Sequence, residues 1–383
     1  MIPVFVNGRF CLQRTTGVQR VAECLARALA ARASGSIEWL LPPGEMPPPG
    51  GPSPPWVSRR QLLASHAWEQ LALPWVARSG FLLNFAGGAP RFVRRQAVHL
   101  HDAAVFDHPE AYSRAFVAWY RGAFVALAQR AERVFTVSCF SQQRLAAALG
   151  LPRERFVVVP NGGDHLDDVA ADESVLERHG LTDRPFLLAV ASRNPTKNLA
   201  RLEAAFVRLH EDSALAGAKL VIVGGVAEQV FAPEHGHPTG RGGAVAEDGV
   251  VRTGPLADAP LLALYRRALA LVFVSRYEGF GLPVLEAMRC GCPVLASRAP
   301  ALLEVAREAA LYADAEDTGS IADAMRRLVS ARTLREDLAA AGRERAGAFT
   351  WAAAAAAYVD ALPQDVRAVF CGPAAPAAGS RRT

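Results

Sequence analysis

Short apolar runs alternate with amphipathic stretches along this sequence, and the alternation runs twice with a pause between. Strand–helix–strand alternation of this kind specifies a parallel sheet covered by helices. In the first half, Ile2–Val6 reads as a strand, and Val18, Val21, Ala22, Leu25, Ala28 and Leu29 follow at helical spacing. Further strands are expected at Ile37–Leu41, Phe81–Phe85, Ala97–Leu100, Arg133–Val137 and Phe156–Val159. After Asn161-Gly162-Gly163-Asp164 the alternation pauses, which places a linker near residues 163–182. It resumes at Phe186–Val190, Leu220–Val223, Leu271–Val274 and Pro293–Ala296. A chain of 383 residues exceeds the size at which a single core keeps growing, so two domains are expected. Residues 42–55 hold eight prolines and read as a surface loop. Residues 226–249, Gly-rich with two His, read as an irregular insertion or lid.

Composition narrows the class. With 51% hydrophobic and 21% charged residues the chain is unlike a disordered one. No apolar run approaches the roughly 18–20 residues of a membrane span. The start, Met1-Ile-Pro-Val-Phe-Val, reads as a strand without a basic n-region, so no secretory signal is expected. The six cysteines show no paired spacing, which fits a reduced cytoplasm. Residues 1–150 hold 16 Arg, no Lys and 8 Asp/Glu, a net +8 against −3 for the remainder. Arg14, Arg20, Arg27, Arg59, Arg60, Arg91, Arg94 and Arg95 are candidates for a basic face. Such a face suits the inner-membrane surface or a diphosphate-bearing acceptor, with an ordinary solvated surface as the alternative. Nucleic acid is not expected as a partner, because no binding motif or aromatic–basic interleaving is present.

The stretch Ser275-Arg-Tyr-Glu278-Gly-Phe-Gly281-Leu-Pro283-Val-Leu-Glu286-Ala-Met288 carries the chemistry. An apolar strand from Leu269 to Val274 gives way to a glycine-bracketed turn, and Pro283 stands where a helix begins. The unpaired N–H groups and dipole of a helix start favour an anion. Gly279 and Gly281 admit a close backbone approach. Glu278 and Glu286 flank this cradle, so a phosphate with a hydroxyl-rich group on either side would fit.

Glu278 to Met288 resembles the E-x7-E signature of retaining glycosyltransferases of family 4, which have the GT-B fold. The resemblance extends to Gly291-Cys-Pro-Val-Leu-Ala-Ser, Phe349-Thr-Trp351, Val158-Val-Pro-Asn161-Gly162, Arg193-Asn-Pro-Thr-Lys197-Asn198 and Asn7-Gly-Arg-Phe…Thr16-Gly17-Val-Gln-Arg20. It implies two Rossmann-like parallel-sheet domains facing a cleft: an acceptor-side domain over 1–165 and a donor-binding domain over 166–349. A C-terminal helix over 350–371 would pack back on the first domain, ahead of a disordered tail at 372–383. The implied activity is retaining, metal-independent transfer of a hexosyl residue from a nucleotide diphosphate sugar to a saccharide or lipid-linked saccharide, in cell-surface polysaccharide assembly. GDP-mannose is the first expectation for the donor, with dTDP- and UDP-sugars as alternatives. The nucleotide sugar is a substrate, and no cofactor is expected.

Departure of a diphosphate requires compensating positive charge from a metal or from Arg and Lys. No Asp-x-Asp triplet occurs in the sequence, whereas Arg193 and Lys197 follow a strand end, where α/β folds bind ligands. The resemblance makes them the diphosphate clamp; a solvated loop pair is the alternative. It assigns Glu286 to the ribose hydroxyls, Glu278 to the sugar, and Gly279, Phe280, Gly281 and Leu282 to donor contacts. Contacts to the base would come from backbone near residues 250–256. His101, after a first-half strand, resembles the family's active-site histidine. Asp102 is a candidate to orient it or bind acceptor, as is Arg14. Gly17 would lie near the donor phosphates, or simply begin a helix capped by Thr15 or Thr16. His99 is read as packing on the opposite face of the sheet from His101. Trp68, Trp75, Trp119 and Tyr120 are read as core or acceptor-rim residues.

Other readings of the same residues remain. A hydrolysing epimerase of similar fold would need a further acid/base carboxylate. A glycosidase using Glu278 and Glu286 as its pair leaves Arg193 and Lys197 without a role. An NAD(P) oxidoreductase lacks G-x-G-x-x-G after its first strand. A nucleotide-sugar-binding scaffold without activity would keep the same binding residues.

Overall fold

The computed structural model describes residues 2–35, 37–42, 56–57, 65–210, 217–224 and 249–370. Most of the Pro-rich loop, Arg59, Arg60, most of the 226–249 insertion and the tail beyond 370 lie outside the described residues. The chain divides into two compact units, one drawn from Met1–Ala103, Tyr120–Gly162 and Trp351–Thr383, the other from Ala104–Trp119 and Gly163–Thr350.

The first unit carries a parallel seven-stranded sheet. Its strands are β1 (Val4–Asn7), β2 (Ile37–Leu40), β3 (Trp56–Val57), β4 (Phe81–Asn84), β5 (Gln96–His99), β6 (Arg133–Thr136) and β7 (Phe156–Val158). Their spatial order is β3-β2-β1-β4-β5-β6-β7. The second unit carries β8 (Phe186–Ala191), β9 (Lys219–Gly224), β10 (Val250–Gly254), β11 (Ala270–Phe273), β12 (Val294–Ser297) and β13 (Leu311–Ala313), in the order β10-β9-β8-β11-β12-β13. Every pairing in both sheets is parallel. Helices cover both faces of such sheets, so strands read as continuous apolar runs: Ala270, Leu271, Val272 and Phe273 are all buried. Each sheet reverses its winding once, between β1 and β4 and between β8 and β11. In open α/β sheets the crevice beyond the carboxyl ends of the strands at such a reversal is where ligands bind.

The expected strands are present with ends moved by a residue or two, but β3, β10 and β13 were not expected. Val250–Gly254, where the resemblance implies a base-contacting loop, is an edge strand beside β9. The glycine-rich residues 226–249 immediately before it make the stretch read as loop. The helix Gly17–Arg32 buries Val21, Ala22, Leu25 and Leu29 of the expected stripe; Ala26 joins them, while Val18 and Ala28 are only half-buried. The C-terminal segment is two helices, Trp351–Asp360 and Gln364–Arg367, because Pro363 interrupts the backbone ladder. Trp351–Asp360 packs on Gly17–Arg32, and Tyr358 stacks on Phe135 at 3.8 Å between ring centroids. Ser34 donates to the Val369 carbonyl (3.0 Å) and Arg133 to the Ala361 carbonyl (2.7 Å), which fixes this segment to the first unit.

Candidate functional site

At the reversal of the second sheet, the loop leaving β8 and the turn leaving β11 lie side by side. Asn194 caps the loop by accepting from the backbone N–H and the hydroxyl of Thr196, both at 2.9 Å. Asn198 ends it in the left-handed region (φ 61°), a conformation Asn tolerates. Its amide donates to the carbonyls of Val274 (3.1 Å) and Ala315 (2.8 Å). The Arg276 N–H donates to the Thr196 carbonyl (2.8 Å), tying loop to turn. These bonds set Lys197 against Glu278, with Nζ 2.7 Å from Oε1. The Lys197 ammonium also stands 5.5 Å from the Phe273 ring centroid. Glu278 is buried, so this pairing compensates a carboxylate taken out of water. Arg193, four residues before Lys197, is half-buried and has no hydrogen-bond or ion-pair partner among the described residues.

The helix Leu282–Arg289 begins with Pro283 in its first turn and Gly281 as its cap at φ 99°. Leu302 Cδ2 stands where a Cβ on Gly281 would go, so glycine is required there both by conformation and by space. Phe280 and Leu282 are buried, and Phe280 meets Phe349 edge-on at 5.9 Å. Their side chains serve packing, which leaves backbone as what this turn offers a ligand. Glu286, buried one turn into the helix, is held on both oxygens: His165 Nε2 lies 3.0 Å from Oε1 and the Tyr265 hydroxyl donates to Oε2 at 2.8 Å. Burial, and then the charge of Glu286, push the Tyr265 hydroxyl well above its ordinary pKa, so it stays a donor. Burial, with the same carboxylate nearby, raises the Cys290 thiol to about 12. Neither His165 nor Tyr265 was singled out from the sequence. His165 stands in the passage read as a linker, and Tyr265 sits in an amphipathic helix, Asp258–Arg267, like any core aromatic.

In the first unit, His101 follows β5 and its Nε2 donates to the Phe85 carbonyl at 2.8 Å. That bond leaves Nδ1 as an acceptor, and burial holds the ring's pKa down at about 4. His99 does not face the opposite side of the sheet. Residues two apart on a strand share a face, and its ring stacks on His101 at 4.7 Å. Asp102 is half-buried in the same loop and Arg14 is exposed. Gly17 opens its helix exposed, with open space where a Cβ would stand. Thr16 occupies the cap position without capping; its hydroxyl bonds to the Gln19 side chain instead.

A polar cluster that the sequence did not reveal lies at the reversal of the first sheet. Asn7 donates to Glu69 (2.9 Å) and to Asn84 (3.1 Å), and Arg9 pairs with Glu69 at 2.9 Å. Burial raises the Glu69 carboxyl, but bonds from His66 and Asn7 and the charge of Arg9 outweigh it and hold the pKa low. The basic face is partly neutralised: Arg27 pairs with Glu23 (2.7 Å) and Arg95 with Asp365 (2.6 Å). Trp68 is core, whereas Leu71, Trp75 and Phe92 are exposed. Arg78 stands over the Trp75 ring at 4.5 Å and Arg130 over Phe92 at 5.2 Å. Among the described residues, no helix is long and apolar enough to cross a membrane, and no three His, Cys, Asp or Glu converge to hold a metal.

Known proteins agree with this architecture. Residues 173–345 match the family described as glycosyl transferases group 1. The O-antigen chain mannosyltransferase B of Escherichia coli is 28% identical over 270 residues, 68% of this chain and 68% of that protein. The serotype-specific mannosyltransferase WbdA of Escherichia coli is 26% identical over 247 residues, 61% of this chain, and the chain spans only 29% of its length. Among solved structures, WaaG, a glycosyltransferase involved in lipopolysaccharide biosynthesis, superposes with a TM-score of 0.66 at 15% identity, covering 97% of this chain and 100% of that one. Anabaena Alr3699/HepE, in complex with UDP and glucose, reaches 0.70 at 16% identity, covering 94% of this chain and 100% of that one. The two parallel sheets make a GT-B fold, and its second unit carries a glycosyl transferases group 1 domain over residues 173–345.

Proposed function

We propose that the protein is a retaining, metal-independent mannosyltransferase that moves a mannosyl residue from GDP-mannose to a hydroxyl of a saccharide or lipid-linked saccharide during cell-surface polysaccharide assembly. The observation that carries this reading is the meeting of Lys197 with Glu278, in the same loop as Arg193, which has no partner among the described residues, at the reversal of the second sheet. Two cations there can stabilise the charge that develops on a departing diphosphate. Glu278 would face the sugar and the positive character at its anomeric carbon, and Glu286 would accept the ribose hydroxyls. The turn at Gly279–Leu282 would offer backbone N–H groups to the phosphates. His101, neutral with Nδ1 free of its own proton, would accept from a hydroxyl of the transferred sugar. The names of the Escherichia coli mannosyltransferases support mannose, and the UDP and glucose bound by HepE support a nucleotide sugar. The exposed Trp75 and Phe92 under arginines support contact with an anionic bilayer carrying the acceptor.

The test combines binding with turnover. Thermal melting with GDP, UDP, dTDP and CDP should give a GDP-selective shift; a ligand at 100 times its Kd contributes about 2.7 kcal/mol. GDP-mannose with a lipid-linked saccharide should then release GDP and form a linkage with the donor's anomeric configuration, read by NMR. A UDP-selective shift would move the donor to a UDP-sugar. No shift with any diphosphate, together with no transfer, would overturn the reading.

A further inference from the structure

The Glu286 carboxylate is not left to find its own orientation. Its helix is tied to the chain that follows the passage between the units at Gly162 and Gly163. A Cβ on Gly163 would stand 2.7 Å from Leu285 Cγ, so glycine lets this chain lie directly on the helix. The Gly163 N–H donates to the Phe349 carbonyl (3.1 Å). Two residues after His165, Asp167 receives Arg289 through Nη2 at 2.5 Å and Nε at 3.0 Å. Between those two anchors His165 Nε2 reaches Glu286 Oε1, while Tyr265 reaches Oε2 from the helix Asp258–Arg267. An ionised carboxylate only accepts, so His165 Nε2 is a donor here.

We propose that His165 and Tyr265 are positioning residues for nucleotide recognition: they lock the Glu286 carboxylate from two sides in the orientation that receives the ribose hydroxyls. This rests on the assignment of Glu286 to the ribose. A carboxylate offers about four lone-pair sites, two on each oxygen, and His165 and Tyr265 each take one. Its oxygens can therefore be fixed by the protein and still accept from a ligand. Holding a recognition group rigid before binding strengthens binding, because the ordering is not charged against the ligand.

The experiment is calorimetric titration with GDP and UDP, each beside its 2′,3′-dideoxy analogue. The wild-type protein should prefer the ribonucleotide that binds by about tenfold or more. Tyr265→Phe, which removes one oxygen and keeps the ring, should erase most of that preference while leaving affinity for the dideoxy analogue unchanged. His165→Ala should do the same, and His165→Gln, whose amide nitrogen can replace Nε2, should recover part of the preference. In turnover, KM for the donor should rise with kcat little altered. Equal losses for both nucleotides in Tyr265→Phe would make the residue structural, and an undiminished preference would leave it without a part in recognition; either overturns the proposal. A wild-type protein that binds ribo- and dideoxynucleotide alike would instead remove Glu286 from the ribose, a failure of the underlying assignment that the variants cannot mimic.

Discussion

Lys197 Nζ and Glu278 Oε1 lie 2.7 Å apart although 81 residues separate them in the chain. The pair joins the loop after β8 to the turn after β11, the two strands between which the second sheet reverses its winding. A carboxylate as buried as Glu278 needs a partner, and in the proposed function that partner is also one of the cations that would meet the diphosphate. Fold and chemistry thus draw on the same contact. Arg193, without a partner among the described residues, carries no comparable structural duty.

Variants of the two cations should therefore separate stability from binding. Lys197→Ala leaves Glu278 buried without this partner, and should lower unfolding free energy by about 1–3 kcal/mol, the cost of an unsatisfied buried group, as well as weaken diphosphate binding. Arg193→Ala should leave stability within about 0.5 kcal/mol of wild type, yet reduce affinity for the nucleoside diphosphate by about tenfold or more. Denaturant melts and calorimetry read the two quantities. Full affinity in Arg193→Ala would take Arg193 out of the diphosphate site.

Gly281→Ala should destabilise the second unit. The position combines φ 99° with Leu302 Cδ2 where the new methyl would go. A left-handed alanine and an overpacked leucine together should cost about 2–4 kcal/mol, seen as a lower Tm. Gly17→Ala is the contrast, since its Cβ would meet open space and a helix prefers alanine. An unchanged Tm in Gly281→Ala would mean the turn relaxes freely and does not hold a fixed backbone cradle.

What the sequence disclosed follows from periodicity and punctuation. The buried parallel strands are apolar runs, and the start of the helix Leu282–Arg289 is announced by Gly281 and Pro283, so sheet and cradle could be located. Length is not the reason β3, β10 and β13 stay hidden, since β7 is as short as β13; β3 adjoins the proline-rich 42–55, β10 adjoins the glycine-rich 226–249, and Leu311–Ala313 follows the helix-favouring Glu308-Ala-Ala. Tertiary partners are less legible still. Tyr265 looks like any aromatic on an amphipathic helix until its hydroxyl is found at Glu286, and Glu69 looks like a surface carboxylate until Asn7 and Arg9 enclose it. His99 shares the face of His101, because alternation puts residues two apart on one side of a strand, and the stacking of its ring on His101 follows from that.

Chelation tests the proposed source of positive charge. With Arg193 and Lys197 supplying it, transfer measured by GDP release should proceed unchanged in EDTA. The loss should instead come from Lys197→Ala, with kcat falling about 100-fold or more. Activity that disappears in EDTA and returns with magnesium or manganese would assign the diphosphate to a divalent ion and reduce the two cations to an auxiliary part.

The two stacked histidines predict how the protein responds to acid. His101 stays neutral in the folded state down to about 4, whereas an unfolded histidine takes its proton near 6.5. Burial, and then the nearby His101, also hold His99 well below its ordinary value. Between those limits the unfolded chain binds more protons, so stability falls as pH falls. The His101 contribution is complete above pH 6.5, declines through the window, and is gone below about 4. Its size is up to about 3 kcal/mol. Denaturant melts at half-unit steps from pH 7.5 to 4 should show this loss, with the largest slope below 6.5. His101→Gln can keep a donor for the Phe85 carbonyl and carries no titrating group, so the slope should flatten. It should not vanish, because His99 acts with the same sign. A slope unchanged by His101→Gln would place the acid sensitivity elsewhere and mean that His101 titrates as an ordinary exposed imidazole, charged in mild acid and unable to offer Nδ1 as an acceptor there.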